Sequence, residues 1–190
     1  MKSDKVDRRV KYTKLALKES IIELLQKKSI DKISIKEICE TADINRSTFY
    51  AHYKDQYDLM YQIEQELLMD INEYLNSYNF KGYEPESFQL VVSIFEYIVD
   101  NAELCKVLLG KHGDIALQKE VMMLIQKQSL KDLKRDKVLE EDMLEYLIIF
   151  SVNGSIGIIQ KWLQDGLKKS AREMAEIVTK LIFEGFSAYV

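Results

Sequence analysis

Hydrogen-bond donors of several kinds are concentrated in one short stretch, residues 46–54. Arg46 can donate to base acceptors or to phosphates, and Ser47 and Thr48 are short donors that permit close approach of the backbone. Donors suited to phosphate oxygens follow them: Tyr50, His52 and Lys54. The chemistry that this pattern indicates is the binding of a DNA duplex.

The sequence contains little evidence for a catalytic site or a metal site. His52 beside Tyr50 has no carboxylate or nucleophile at a recognisable motif spacing, and no Gly-rich phosphate loop, GxSxG or HExxH is present. Cys39 and Cys105 form no CxxC and are interpreted as buried thiols. One acidic group lacks the Glu-x-x-His pair of a helical metal site and is interpreted as a solvated helix face: Glu64, Glu66 and Asp70. We therefore predict no enzyme, no cofactor and no metal.

The composition indicates a soluble, helical protein. Of 190 residues, 47% are hydrophobic and 31% are charged, and only Pro85 and seven glycines interrupt the helical pattern. The fold class predicted is all-α, with about nine helices. No apolar run approaches the roughly 18 to 20 residues of a membrane span, and the N-terminus is polar, which favours a cytoplasmic protein that does not enter a membrane.

The charge is distributed unevenly along the chain. The net charge is −4, but residues 1–54 carry 13 Lys or Arg against 8 Asp or Glu (+5), and residues 55–190 carry 14 against 23 (−9). A local basic surface attracts phosphates and steers association. Because a charge run is more often only a solvated face, the asymmetry supports DNA binding only together with the donor stretch.

Two short helices joined by a turn are predicted to position the donors. Ser34 and Glu37 form a capping box that begins a helix. Asp43 in the turn tolerates a left-handed backbone, and Asn45 can cap a short helix over residues 46–51. This is the arrangement of a helix-turn-helix, whose second helix enters the major groove. The residues assigned to packing are Ile35, Ile38, Cys39, Ile44 and Phe49.

Helical patterns continue on both sides of this motif. A first helix is predicted over residues 8–28, and Asp55 caps a fourth that runs to about residue 78. A linker is predicted at residues 79–85. Five helices follow, the last of them begun by a capping box at Ser170: 86–100, 102–109, 114–135, 139–165 and 171–188.

The motif and its flanks resemble the DNA-binding domain of tetracycline-repressor-like (TetR/AcrR) regulators. The most specific part is the Thr-aromatic-Tyr-x-His-aromatic run with its acidic cap and Leu59. The resemblance implies a DNA-binding domain at residues 1–54 and a helical dimerisation and effector-binding domain at residues 55–190. The residues that carry it are Ile35-Lys36-Glu37-Ile38-Cys39 and Asp43-Ile44-Asn45-Arg46-Ser47-Thr48-Phe49-Tyr50-Ala51-His52-Tyr53-Lys54-Asp55.

The resemblance also implies roles for individual residues. Positions matching Thr48, Tyr50 and His52 commonly contact the DNA backbone, and those matching Arg46 and Ser47 often contact bases. The full DNA-binding set predicted is Ser34, Asn45, Arg46, Ser47, Thr48, Tyr50, His52, Tyr53 and Lys54.

Two positions depart from the family pattern. Asp43 stands where Gly is usual in the turn, and it tolerates the left-handed region but adds a negative charge near DNA. Gln56 stands where Lys is usual, and it can donate to a phosphate only without charge. Lys54 is expected to compensate for Gln56.

The C-terminal half resembles a branch of the family that is frequent in Firmicutes. The resemblance rests on Phe150-Ser151-Val152-Asn153-Gly154-Ser155-Ile156-Gly157, followed by Trp162, Leu163 and Gly166. Gly154 and Gly157 lie three residues apart on one predicted helix, which permits close helix approach, either within one subunit or between two. The resemblance places a homodimer interface in the last two predicted helices, 139–165 and 171–188.

The function predicted is that of a transcription regulator, by default a repressor, which binds a palindromic DNA operator as a homodimer. A small-molecule effector or a coactivator protein would control its affinity for DNA. Tyr97, Phe150, Trp162 and Asn153 could line an effector pocket, but ordinary core packing explains them better, so no pocket residue is assigned. The alternatives are an activator of the same fold that works with a coactivator, a helical protein-interaction module that does not bind DNA, and a small helical enzyme without a recognisable catalytic constellation.

Overall fold

The structure is a computed structural model that describes residues 2–77, 85–109, 115–133 and 141–185. Within these ranges it contains nine α-helices and one short 3-10 helix, Ile30–Lys32, and no strand, so the all-α prediction is confirmed. The α-helices are α1 (Lys2–Leu25), α2 (Ile35–Ala42), α3 (Arg46–Tyr50), α4 (Gln56–Ser77), α5 (Pro85–Asp100), α6 (Ala102–Leu109), α7 (Ile115–Leu133), α8 (Glu141–Gln164) and α9 (Ala171–Phe183).

Most of the predicted linker at residues 79–85 lies outside the described residues. Pro85 itself is the first residue of α5, where the missing amide hydrogen of proline costs no helical hydrogen bond. The chain forms two compact units, Met1–Leu67 and Leu68–Val190, which divide within α4. The sequence places the functional boundary earlier, at residues 54 and 55, and that assignment stays a prediction.

The first unit is organised around apolar residues from its helices. Leu17 and Ile21 of α1, Ile38 of α2 and Phe49 of α3 have no exposed surface. Full burial of such side chains contributes about 1.5–3 kcal/mol each. In this unit α2 packs against α1, and α3 packs against α2.

The second unit packs α5 closely against α9. Trp162 is buried there, with its ring 5.4 Å from that of Phe95, and its indole nitrogen donates to the Lys169 carbonyl at 3.1 Å. Ser170 begins α9 with the predicted capping box, because its hydroxyl accepts from the Glu173 amide and the Glu173 side chain accepts from the Ser170 amide. Trp162 thus serves the core of this unit.

Helix α8 carries apolar side chains on two sides. Leu144, Ile148 and Val152 form a small buried cluster, whereas Phe150 is 70% exposed. The segment Met143–Gln164 has a mean hydropathy of 1.4 and is long and apolar enough to cross a membrane, although only 17% of it is buried. No uninterrupted apolar run in this segment approaches that length, in agreement with the sequence analysis, because polar residues such as Glu145, Asn153 and Lys161 interrupt it; only its average hydropathy reaches that of a span.

Candidate DNA-binding site

The start of α2 is fixed by the predicted capping box. The Ser34 hydroxyl accepts from the Glu37 amide at 3.3 Å, and Glu37 Oε2 accepts from the Ser34 amide at 3.0 Å. The other carboxylate oxygen, Oε1, accepts from Lys28 Nζ at 2.5 Å. This hydrogen bond from Lys28, followed by those from Ser34, lowers the pKa of Glu37 to about 2 and keeps the carboxylate charged.

The turn between α2 and α3 has the backbone that the sequence predicts. Asp43 lies in the left-handed region, with φ 53° and ψ 43°. The Ile44 amide donates to the Cys39 carbonyl at 2.9 Å, a bond typical of helices that end in a left-handed residue. Asn45 then caps α3, since its side-chain oxygen accepts from the Ser47 amide at 3.0 Å. These bonds fix the direction in which α3 leaves α2.

Replacing Asp43 with valine should destabilise this turn by about 1–2 kcal/mol, because a β-branched residue is disfavoured in the left-handed region. Asp43→Asn should leave stability nearly unchanged, because asparagine tolerates the same backbone. Chemical unfolding of the two variants measures the difference. Equal stability of the two would show that the turn does not require a left-handed residue.

Helix α3 presents a polar face and buries one aromatic side chain. Arg46, Ser47 and Tyr50 are exposed, whereas Phe49 is fully buried. Phe49 lies edge-on to Tyr50, with ring centroids 5.7 Å apart. Burial of Phe49 therefore turns the polar side chains of α3 outward, where they can meet another molecule.

Tyr53 lies on the buried side of this region. Only 5% of its surface is exposed, and its ring centroid lies 5.7 Å from that of Phe49. Burial, with smaller effects of Glu66 and Asp58, raises its pKa to about 12. The prediction of Tyr53 as a DNA contact is not supported by this placement, and we assign it to packing.

The other eight predicted residues are accessible, but their side chains are not equally free. Ser34, Asn45 and Lys54 are exposed, and Thr48 and His52 are half-buried. The Ser34 hydroxyl donates its hydrogen to Glu37 Oε2 at 2.8 Å. That hydrogen is consequently unavailable to a phosphate unless the capping box opens.

Two aspartates at the beginning of α4 fix the local backbone, including that of Lys54. Asp55 caps the helix as predicted, accepting from the amides of Tyr57 and Asp58 at 2.9 Å. Asp58 in turn accepts from the Lys54 amide at 2.9 Å, an interaction that was missed. The signal was available, because two acidic residues three apart at a helix start resemble a capping box.

An open depression of about 420 Å³ lies beside the turn and the start of α3. Its walls include both charges of an ion pair, Lys36 and Glu40, at 3.7 Å. Among the described residues no group of three or more His, Cys, Asp or Glu is placed to hold a metal ion. The lining of the depression is completed by Cys39, Asp43, Ile44, Asn45 and Arg46.

The second half of the chain identifies the family. Residues 86–184, just over half of the 190 residues, match a TetR-type family model described as a transcriptional regulator C-terminal region. The chain belongs to the TetR family of transcriptional regulators. Regulators of this family bind DNA and typically form homodimers. No curated protein matches the chain by sequence.

Solved structures agree with the TetR-family fold. A TetR transcriptional regulator from Streptococcus agalactiae is 20% identical, with a TM-score of 0.62, over 95% of this chain and 98% of the other. FadR from Bacillus subtilis in complex with stearoyl-CoA is 14% identical, with a TM-score of 0.66, over 90% and 98%. NalD, the secondary repressor of the MexAB-OprM multidrug efflux pump of Pseudomonas aeruginosa, is 14% identical, with a TM-score of 0.67, over 94% and 97%.

Proposed function

We propose that this TetR-family regulator binds a roughly palindromic operator as a homodimer and places α3 of each subunit in a major groove. The observation that carries the proposal is the exposed polar face of α3, held outward by buried Phe49 and fixed by the Asn45 cap. The protein acts in the cytoplasm as a regulator without enzymatic activity.

Within this site we divide the side chains by role. Arg46 and Ser47, on the first turn of α3, read base edges, since the N-terminal residues of a recognition helix reach deepest into the groove. The residues that hold phosphates are Thr48, Tyr50, His52 and Lys54. The main role of Asn45 and Ser34 is to position the helices, because their side-chain oxygens already accept hydrogen bonds from backbone amides.

Arg46→Ala should weaken binding to the operator by about 1–3 kcal/mol and leave binding to unrelated DNA much less affected. The reason is that a bidentate contact to guanine is made only with the correct base pair. Titration of labelled operator and unrelated duplexes measures both affinities. If both fall by the same factor, Arg46 is a phosphate anchor.

Tyr50→Phe serves as the contrasting variant, because it removes one hydroxyl from an exposed ring. A phosphate contact carries no sequence information, so operator and unrelated DNA should lose affinity alike. A selective loss of operator affinity would assign base reading to Tyr50 instead.

The dimer interface that we propose runs along the uncovered side of α8. Five exposed residues of α8 form this side: Met143, Leu147, Phe150, Gly154 and Gly157. The spacing between successive residues alternates between four and three positions, which is the repeat of a helix that packs along a partner helix. A Cβ added at either glycine would meet no atom within 4 Å. Among the described residues, then, no neighbour in the same subunit requires these glycines, which favours the intersubunit alternative.

We further propose repression that an effector relieves. NalD is a repressor, and the FadR complex contains stearoyl-CoA, so repression and the binding of a small molecule each occur among proteins of this fold. Sequencing of genomic fragments captured by the protein identifies the operator, and a reporter placed behind it measures the sign of regulation. Deletion of the protein should raise reporter expression. Lower expression would indicate an activator, and an absence of salt-dependent DNA binding would indicate a protein-interaction module.

A further inference from the structure

The cations of the first compact unit are concentrated at its beginning. Residues 2–14 carry six Lys or Arg and two Asp, a net charge of +4. Residues 15–54 carry seven Lys or Arg and six Asp or Glu, a net charge of +1. The part of the chain that contains the helix-turn-helix is thus close to neutral, although electrostatic attraction to phosphates dominates most protein–DNA affinities.

Many of the lysines in this part of the chain are also engaged in ion pairs. Four lysines of the unit pair with carboxylates at 2.5–3.7 Å: Lys18–Glu66, Lys27–Glu23, Lys28–Glu37 and Lys36–Glu40. By contrast, Arg8, Arg9, Lys11 and Lys14 make no ion pair with any carboxylate in the described part of the chain. Arg8, Arg9 and Lys11 are exposed, and Lys14 is half-buried.

Asp4 and Asp7 precede Arg8 and Lys11 by one helical turn in the sequence. Exposed pairs at this spacing contribute only about 0.3–0.5 kcal/mol, and they are screened by salt. Such pairs do not prevent the cations from exchanging a carboxylate for a phosphate.

Arg8, Lys11 and Lys14 lie three residues apart and so share one flank of α1. Further along the same helix Leu17 and Ile21 are fully buried and anchor α1 in the core. At the α-helical rise the flank extends about 9 Å, a length over which one DNA strand carries about two or three phosphates. The cations are therefore spaced and fixed as a backbone contact requires.

We propose that this α1 basic flank, formed by Arg8, Lys11 and Lys14 together with the adjacent exposed Arg9, is a second DNA-binding surface that holds the phosphate backbone and provides most of the salt dependence of binding. The proposal rests on the proposed function, because the flank belongs to the same compact unit as α3. Phosphate contacts are independent of sequence. The flank consequently raises affinity for every duplex, and selectivity is left to α3.

The test needs no operator. Affinity of the full-length protein for a labelled random-sequence duplex of about 30 base pairs, roughly three helical turns, is measured over a series of salt concentrations. In the test variant Arg8, Arg9, Lys11 and Lys14 are all replaced by Gln, which preserves helix propensity. Removing one phosphate-binding charge should reduce the slope of log K against log salt by about 0.9, so a reduction of about 2 to 4 is expected.

A matched control removes the same number of charges from exposed positions of the second unit: Lys119→Gln, Lys127→Gln, Lys168→Gln and Lys169→Gln. Its slope should change by less than about 1, the effect of a single phosphate-binding charge. A third variant, Arg8→Lys with Arg9→Lys, keeps the charge and should keep the slope, which separates charge from any effect on folding.

An unchanged slope in the test variant, or an equal change in the control, would overturn the proposal that the α1 basic flank binds DNA. It would leave α3 as the DNA-binding element. If the unmodified protein shows no salt-dependent affinity for duplex DNA, the proposed function itself fails. The two failures are thus distinguishable in one set of titrations.

Discussion

Phe150→Glu should convert the protein from a dimer to a monomer and lower its affinity for an operator by about 100- to 10,000-fold. Phe150 is 70% exposed in the single chain and lies centrally in the uncovered row of α8. A two-fold interface would bury two unpaired carboxylates at this position, at a cost of several kcal/mol. A monomer loses the second binding event, which in a dimer is intramolecular and accounts for this range of affinity.

Light scattering and operator titration measure the two effects. Met123→Glu is the matched control, because Met123 is 60% exposed on α7 and outside the proposed row. The control should remain dimeric with unchanged affinity. A dimeric Phe150→Glu variant would exclude this side of α8 as the interface, and an unmodified protein that is monomeric at micromolar concentration would exclude dimerisation through either of the last two helices.

Gly154→Leu tests the same interface without introducing a charge. Because an added Cβ meets no atom within 4 Å in the described part of its own subunit, the monomer should keep its fold, and its helix propensity should improve by up to about 1 kcal/mol. The larger side chain should block the close approach of a partner helix. A destabilised monomer would indicate that the glycine serves packing within the subunit.

Helix starts and the tight turn were predictable because their causes are local. The Ser34 and Ser170 boxes each depend on residues three apart, and the left-handed backbone of Asp43 follows from the few residue types that tolerate it. Such features are readable from a short window of sequence. The outward placement of the polar side chains of α3 is local in the same sense, since α3 is short and follows directly from its cap, whereas their contact with DNA stays a prediction.

Properties that depend on distant residues were not predictable in the same way. Tyr53 resembles an exposed donor in the sequence, yet only 5% of its surface is exposed in the folded unit. The pair Lys28–Glu37 joins the turn after α1 to α2, and Lys18–Glu66 joins α1 to α4, so no pattern within one helix indicates which cations are neutralised. The basic flank of α1 became visible only once those pairs were known.

The two apolar sides of α8 illustrate the same limit. Ile148 packs against its own subunit and Phe150 does not, although the two are equally apolar and only two residues apart. Hydrophobicity specifies that a side chain avoids water but not which partner covers it. Placement of α7 on one side of α8 is what leaves the row containing Leu147 uncovered.

Phe49→Ala should produce the largest loss of stability, about 3–5 kcal/mol in the unit that contains α1 to α3. Phe49 has no exposed surface and contacts the rings of Tyr50 and Tyr53, so truncation leaves a cavity where α3 packs on the core. DNA binding should be abolished as a consequence of local unfolding. Two compact units need not unfold together, so hydrogen exchange at the amides of α1 to α3 is the appropriate measurement.

Tyr50→Ala is the matched control, since it removes a neighbouring aromatic ring that is 58% exposed. Its stability should change by no more than about 0.5 kcal/mol, the usual effect of a surface substitution. Both variants should bind DNA weakly, but only Phe49→Ala should accelerate exchange in α2 and α3. If Tyr50→Ala accelerates exchange equally, Tyr50 supports the fold and cannot be assigned to DNA contact. Hydrogen exchange therefore separates residues that support the fold of the DNA-binding surface from residues that contact DNA. Affinity measurements alone do not make this distinction.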